Sequence, residues 1–370
     1  MKKSLIALAV LAASGAAMAQ SSVTLYGVVD TGLTYSKGEE SVYGMTHVGG
    51  NVNSRLGFRG VEDLGNGLKA TFNLEAGMGV DDGNNYMDKD SNGMAFRRTS
   101  TVGLQGSFGE VRLGRMLTSS YLAVSRYDAF GDAGIGASLA WNPTNTGYAP
   151  RTENAISYTS PNFSGFKFGA EYGFGEKKDA RDSRYIGVGA TYDNGPLSLG
   201  LGFDRINNVG YAAAVPAGTN PVTTAVAEKL GDDLTSWQLG GSYNFGVAKL
   251  LSFYKHTNEK NVATGNKDKF KTFGLGVTAP VGAAGEVKVA YNHYRLSLDA
   301  GDTQKANQLS LGYVHNLSKR TALYGTYAYV KNKNDNGRNL GLQLNGAMDG
   351  AGLSNSGAQH GLQAGIRHAF

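Results

Sequence analysis

The chain has 370 residues, with 54 Gly, 7 Pro, 20 Tyr, 15 Phe and no Cys. Glycine stands at about twice its average share without the period of collagen, and the rings are too many for a disordered chain. Zero cysteine excludes a disulfide scaffold, a zinc-finger array and a thiol nucleophile, and 35 basic against 30 acidic residues make a mixed surface, not a nucleic-acid-binding arm.

Lys2 and Lys3 precede an apolar run from Leu5 to Ala17, which ends in Ala17-Met18-Ala19. A basic start, a short apolar core and a small-x-small end predict a secretory signal peptide over 1–19. Cleavage would leave 20–370 as a single domain. The run is too short for a spanning helix, which needs about 20 residues. No later stretch approaches 18 consecutive apolar residues, so a helical membrane protein is excluded.

From there the period is two almost everywhere. Val23, Leu25, Val29, Leu33 and Tyr35 share one face, with Thr24, Asp30 and Thr34 on the other. Leu68, Ala70, Phe72, Leu74 and Ala76 alternate with Lys69, Thr71, Asn73 and Glu75. Phe166 to Phe174, Trp237 to Phe245 and Leu362 to Phe370 repeat the pattern. Such alternation predicts strands with one apolar and one polar face. Sixteen are expected, at 23–36, 53–64, 67–80, 95–106, 109–116, 153–160, 165–175, 183–193, 196–206, 234–245, 247–258, 269–279, 286–297, 306–317, 320–331 and 359–370. Two of them alternate poorly, because Lys249 and Arg295 fall on a mostly apolar face.

Connections alternate as well. Gly65-Asn66-Gly67, Asn194-Gly195-Pro196 and Ser318-Lys319-Arg320 are tight turns, whereas 37–52, 81–95, 117–152, 207–233 and 332–358 are long and polar. An even strand number with short turns on one side and long loops on the other is the pattern of a transmembrane β-barrel. The fold expected is therefore all-β, a sixteen-stranded antiparallel barrel with short periplasmic turns and long extracellular loops. A soluble sandwich also alternates, but rarely reaches sixteen strands in one domain.

Several blocks carry a family resemblance. Gln20-Ser-Ser-Val-Thr-Leu-Tyr-Gly-Val-Val-Asp30, Ser54-Arg-Leu-Gly-Phe-Arg-Gly-Val-Glu-Asp-Leu-Gly-Asn-Gly-Leu-Lys-Ala70, Phe108-Gly-Glu-Val-Arg-Leu-Gly-Arg115 and Asn154-Ala-Ile-Ser-Tyr-Thr-Ser-Pro-Asn-Phe-Ser-Gly-Phe166 resemble β-proteobacterial porins of the Neisseria, Burkholderia and Comamonas type, as does the ending Gly365-Ile-Arg-His-Ala-Phe370. The resemblance spans the predicted mature chain. It implies a homotrimer with one water-filled pore per subunit in the outer membrane. It further implies an inward-folded third external loop, here 117–152, and Phe370 as the signal read by the assembly machinery. Partners would be outer-membrane lipid and lipopolysaccharide, small ions and hydrophilic solutes, with no nucleic acid and no cofactor.

A constriction needs charged lining. Loop 117–152 carries Arg126, Asp128 and Asp132. Parity turns Arg55, Arg59 and Arg112 inward. It favours Arg97 over Arg98, whereas the family block aligns better on Arg98, and a local bulge would reconcile the two. Arg115 and Arg151 flank the loop. A basic wall of Arg55, Arg59, Arg97, Arg98, Arg112, Arg115 and Arg151 facing Asp128 and Asp132 predicts a preference for small anions. Asp30, Glu75 and Glu171 also point inward and would moderate it.

Other motifs carry less. Asp88-Lys-Asp-Ser-Asn-Gly93 opens like a calcium loop but reaches Thr99 where a glutamate is required. Gly274-Leu-Gly276 spells part of a dinucleotide fingerprint inside a strand and meets Pro280, with no helix to follow. An outer-membrane hydrolase needs a Ser/His pair that is not evident. The alternative functions are a substrate-specific channel, for which Tyr26, Tyr121 and Tyr127 form no ordered track, and an adhesive surface barrel acting through loops 207–233 and 332–358.

Overall fold

The computed structural model describes residues 22–85, 94–141, 150–175, 183–209, 232–262, 264–333 and 339–370. The expected signal peptide, the Asp88–Gly93 motif and most of loop 207–233 lie outside these residues. Among the described residues no helix is long and apolar enough to cross a membrane.

Seventeen strand segments make the wall: β1 (Ser22–Lys37), β2 (Ser41–Met45), β3 (Arg55–Gly65), β4 (Leu68–Gly77), β5 (Thr99–Gly106), β6 (Gly109–Leu117), β7 (Arg151–Thr159), β8 (Phe166–Gly173), β9 (Tyr185–Asn194), β10 (Leu197–Val209), β11 (Asp232–Asn244), β12 (Lys249–Asn261), β13 (Lys267–Val281), β14 (Gly285–Ser297), β15 (Thr303–Asn316), β16 (Thr321–Lys333) and β17 (Ala358–Ala369). The lower half of β1 pairs with β3 and its upper half with β2, so β2 and β3 share one wall position. The result is a closed sixteen-stranded antiparallel barrel. The sequence reading placed β2 in a loop, because five residues are too few for alternation to show. Closure comes from β1 against β17, from Val28↔Ala369 to Lys37↔His360.

Parity decides the two faces. Val23, Leu25, Leu33, Leu201, Leu239, Leu275, Leu311 and Leu362 are all exposed on the outside. A continuous apolar exterior of this size belongs in hydrocarbon, where closure leaves no backbone edge unpaired. Turn chemistry follows the sequence: at Gly65-Asn66-Gly67 all three residues have positive φ, which Gly and Asn tolerate best.

The interior is not uniformly wet. Between β6 and β7 the chain enters the lumen as α1 (Ser119–Val124), a 3-10 turn over Ser125–Tyr127 and a second over Leu139–Trp141. Segment 339–357, between β16 and β17, folds inward too. Ile135 and Leu139 of the first loop and Leu342 and Leu344 of the second bury against Phe270, Tyr294, Ala306, Ala328 and Val330 of the wall. This is a small hydrophobic core inside the barrel.

Candidate pore constriction

Small residues on the wall make room for the inner loop. A Cβ on Gly189 would collide with the Ser119 carbonyl, one on Gly200 with the Ala123 carbonyl and one on Gly240 with the Tyr127 ring. Thr118 caps α1, accepting from Tyr121 N at 3.3 Å. Ser119 donates to Glu171 through both its backbone N, at 2.8 Å, and its hydroxyl.

Farther along, Lys255 Nζ donates to Ala140 O at 2.9 Å. Tyr294 OH accepts from Leu139 N at 2.9 Å and donates to Gln308 Oε1 at 2.6 Å. Gln308 Nε2 donates to Ala137 O at 3.0 Å, and Gln363 Oε1 accepts from Ile135 N. Asn345 of the second loop donates to Asp132 O and Gly134 O. These buried polar groups of the loop and its seat thus find partners, and the loop is held from several strands at once.

Opposite this assembly, β3, the start of β7 and the residue just before β5 present guanidinium groups beside a carboxylate of β4. Arg98 Nε lies 2.6 Å from Glu75 Oε1 and Arg55 Nε 3.6 Å from Glu75 Oε2. Tyr26 OH donates to Glu75 Oε2 at 2.9 Å, and the Arg59 guanidinium lies 5.2 Å from the Tyr26 ring centre. Arg151 Nε donates to Arg98 O at 2.9 Å. Arg98 is 7% exposed, whereas Arg59 faces open lumen.

Arg151, Tyr121, Asp132 and Trp141 line a cavity of about 930 Å³, with His47, Asp81 and Asp82 on its wall. Those last three place donor atoms within 4.8 Å of one another, the one cluster of metal-ligand type among the described residues.

The three inward acids expected from the sequence, Asp30, Glu75 and Glu171, are all occupied. Asp30 is fully buried and accepts from Gly50 N, Asn51 N, Val52 N and Tyr324 OH at 2.7–3.0 Å. It holds segment 46–54 against the wall. Glu171 holds α1, and Glu75 faces the arginines.

A family model described as Gram-negative porin matches residues 5–335. Outer membrane porin protein 32 of Delftia acidovorans is 47% identical over the whole of both chains. The chain belongs to the Gram-negative porin family. An outer-membrane porin protein of Bordetella pertussis is 35% identical over 90% of this chain and 95% of its own. The solved anion-selective porin from Comamonas acidovorans matches with a TM-score of 0.79 at 42% identity, over 95% of this chain and 100% of that one. The trimer form of OmpT from Vibrio cholerae shares the fold, with a TM-score of 0.68 at 17% identity. This chain is an outer-membrane porin, an integral β-barrel and a passive channel, not an enzyme.

In this porin the expected site residues divide. Arg55, Arg59, Arg98 and Arg151 come together, and Arg112 lies on the same inner face, 3.7 Å from Glu110. Arg97 is exposed, and its carbonyl accepts from Arg115 Nε at 2.6 Å. Arg98, not Arg97, reaches Glu75, because the chain turns at Ala95–Arg97 before β5 begins. Arg115 stands opposite Ser100 in register, on the face of Val102 and Leu113, and pairs with Glu153 at 2.7 Å. It does not join the lumenal cluster.

The inner loop divides as well. Arg126 pairs with Asp193 at 2.6 Å, away from the arginine wall. Asp132 sits on the cavity wall and accepts from Tyr121 OH at 2.8 Å. Asp128 does not face the arginines. It is buried within the loop, accepting from Phe130 N, Ser138 N and Trp141 Nε1 at 2.9–3.2 Å. Burial pushes its carboxyl up to about 6 against the pull of those three donors.

Phe370 exchanges backbone hydrogen bonds with Gly27 at 3.1 and 3.2 Å, and its ring covers that glycine. The sequence reading missed the inward fold of 339–357. Leu340, Leu342 and Leu344, at alternate positions in a polar loop, were the available signal.

Proposed function

We propose that this porin is an anion-preferring diffusion channel for small hydrophilic solutes, with Arg55, Arg59, Arg98, Arg112 and Arg151 as the basic lining and Asp132 facing them. One observation carries it: Asp30 and Glu171 are consumed by structural bonds, while Arg55 and Arg98 share the single carboxylate of Glu75, with Arg59 on the Tyr26 ring and Arg151 on the Arg98 carbonyl beside them. The excess positive charge stands in a low-dielectric wall, which focuses its field across the opening. The anion-selective porin of Comamonas acidovorans, at 42% identity, supports the same sign. Guanidinium charge is independent of pH in the physiological range, so the preference should be as well.

The working unit in this reading is a homotrimer of pores, exported by the 1–19 signal and assembled through a C-terminal strand ending in Phe370. Reversal potential across a planar bilayer under a salt gradient tests the selectivity. An anion-signed value is expected. A cation-signed value would transfer control to Asp132 and the inward acids. Cross-linking in native membranes should give a three-fold ladder. N-terminal sequencing of the membrane-inserted protein should begin at Gln20.

A further inference from the structure

Arg295 departs from the apolar pattern of its strand, and its neighbours depart with it. β14 turns Val289, Tyr291, His293 and Arg295 outward, while Ala290, Asn292 and Tyr294 are buried inside. Arg295 stands opposite Lys271 of β13 on one side and Lys305 of β15 on the other. Lys305 in turn stands opposite Lys333 of β16. Residues opposite each other in an antiparallel pair point to the same face, with Cβ atoms about 5 Å apart. Four cations therefore run side by side across the outer face. Lys269 and Lys267 continue the patch toward Lys260 of β12.

Like charges directly opposite destabilise a sheet unless something neutralises them. The protein does not. Among the described residues, the side chains of Lys271, Arg295, Lys305 and Lys333 make no ion pair and no hydrogen bond. The nearest acids in register, Glu259 and Asp268, stand opposite each other on the lumenal face. Charge sign is thus sorted between the two faces of the same strand ends.

Position supplies the rest. The row lies at the end of the barrel where β16 runs into the long connection to β17 and β6 into that to β7, and long loops are external in such barrels. Below it comes a mixed row of Phe273, His293, Asn307 and Lys331, and then the outward rows turn apolar: Leu275, Tyr291, Leu309 and Tyr329, then Val277, Val289, Leu311 and Tyr327. A molecule matching both parts carries closely spaced anions above several acyl chains. A free anion would use only the upper part.

We propose that the row Lys271–Arg295–Lys305–Lys333 is a docking surface for the phosphate groups of outer-leaflet lipopolysaccharide, whose acyl chains lie on the apolar rows beneath. Basic residues at a membrane surface attract anionic headgroups additively.

The test uses folded, detergent-solubilised porin, with bis-phosphorylated lipid A as probe and native mass spectrometry or calorimetry as readout. Replacing the four cations together (Lys271→Gln, Arg295→Gln, Lys305→Gln, Lys333→Gln) should weaken binding about 600-fold. Dephosphorylated lipid A should bind the unaltered porin as weakly as lipid A binds the variant. Lys249→Gln, at the opposite end of the barrel, should bind normally. Conductance and reversal potential of the fourfold variant should match the parent, since the row lies outside the lumen. If that variant does not fold, Arg295→Gln alone should cost about fivefold. Undiminished binding by the variants, equal binding of the dephosphorylated lipid, or displacement of lipid A by millimolar inorganic phosphate would each overturn the proposal.

Discussion

The lumen has two unlike halves. Along β13–β16 the inner wall is covered: Phe270, Tyr294, Ala306, Ala328 and Val330 lie under two loops and pack like the centre of a globular domain. Along β3, β4 and the start of β7 no loop core covers it and it is charged, with Arg55 and Arg98 on Glu75 and Arg151 on the Arg98 carbonyl. Both halves obey the same two-residue alternation. The difference teaches that parity tells which way a side chain points, but not what meets it there. Polar residues of the covered half, such as Gln308 and Gln363, serve as loop anchors. Those of the bare half remain available to ions.

The strongest way to break this contrast is to discharge the bare half. Replacing Arg55, Arg98 and Arg151 together by Gln should abolish the anion sign of the reversal potential, because Glu75 then stands without a counter-charge. Next comes the seat of the inner loop. Gly200→Leu places a side chain where the Ala123 carbonyl lies. The loop should leave the wall, seen as new proteolysis between 118 and 141 and an altered single-channel conductance.

A smaller loosening is expected from Tyr294→Phe. It leaves Leu139 N and Gln308 without their hydroxyl partner, at about 1–3 kcal/mol for buried groups so orphaned. Faster amide exchange over 135–141, with the barrel intact, would register it.

The Asp128 carboxyl sharpens the comparison from the covered side. Its value is about 6 when the loop is seated, against 3.8 ordinarily. The seated loop therefore binds the proton more tightly, and its stability falls as pH rises from about 4 to about 6. Across that window the change amounts to about 3 kcal/mol. Exchange protection of the Phe130 and Ser138 amides, corrected for intrinsic rates, should decline over it, and a flat profile would contradict the assignment. The smallest effect belongs to Arg115→Gln. Its guanidinium serves Glu153 and the Arg97 carbonyl on the outer-face side, so the reversal potential should stay where the parent has it.

Much of the barrel was legible because strand chemistry is local. Leu25, Leu33, Phe72, Leu239 and Leu362 announce their face by their neighbours two residues away, and Gly65-Asn66-Gly67 announces its turn by the φ values that it permits. Arg55 and Arg59 followed from the same rule. Arg97 and Arg98 did not, since a turn just before β5 breaks the alternation there. Arg115 keeps the period, sharing the outer face with Leu113; it was counted in the basic wall because it flanks the loop, not by parity. Asp128 did not follow, since its burial depends on Trp141 folding back over it.

By itself the sequence determined a membrane-spanning barrel, its strand number and its two faces, because a period of two is written into consecutive residues; the loop that enters it was implied by the family resemblance alone. Only the tertiary structure decided which half of the lumen is filled and which arginines share a carboxylate. Those outcomes depend on meetings such as Ile135 with Gln363, 228 residues apart. No local period encodes a distance of that kind, and only closure of the ring brings its two sides within reach of the loop between them.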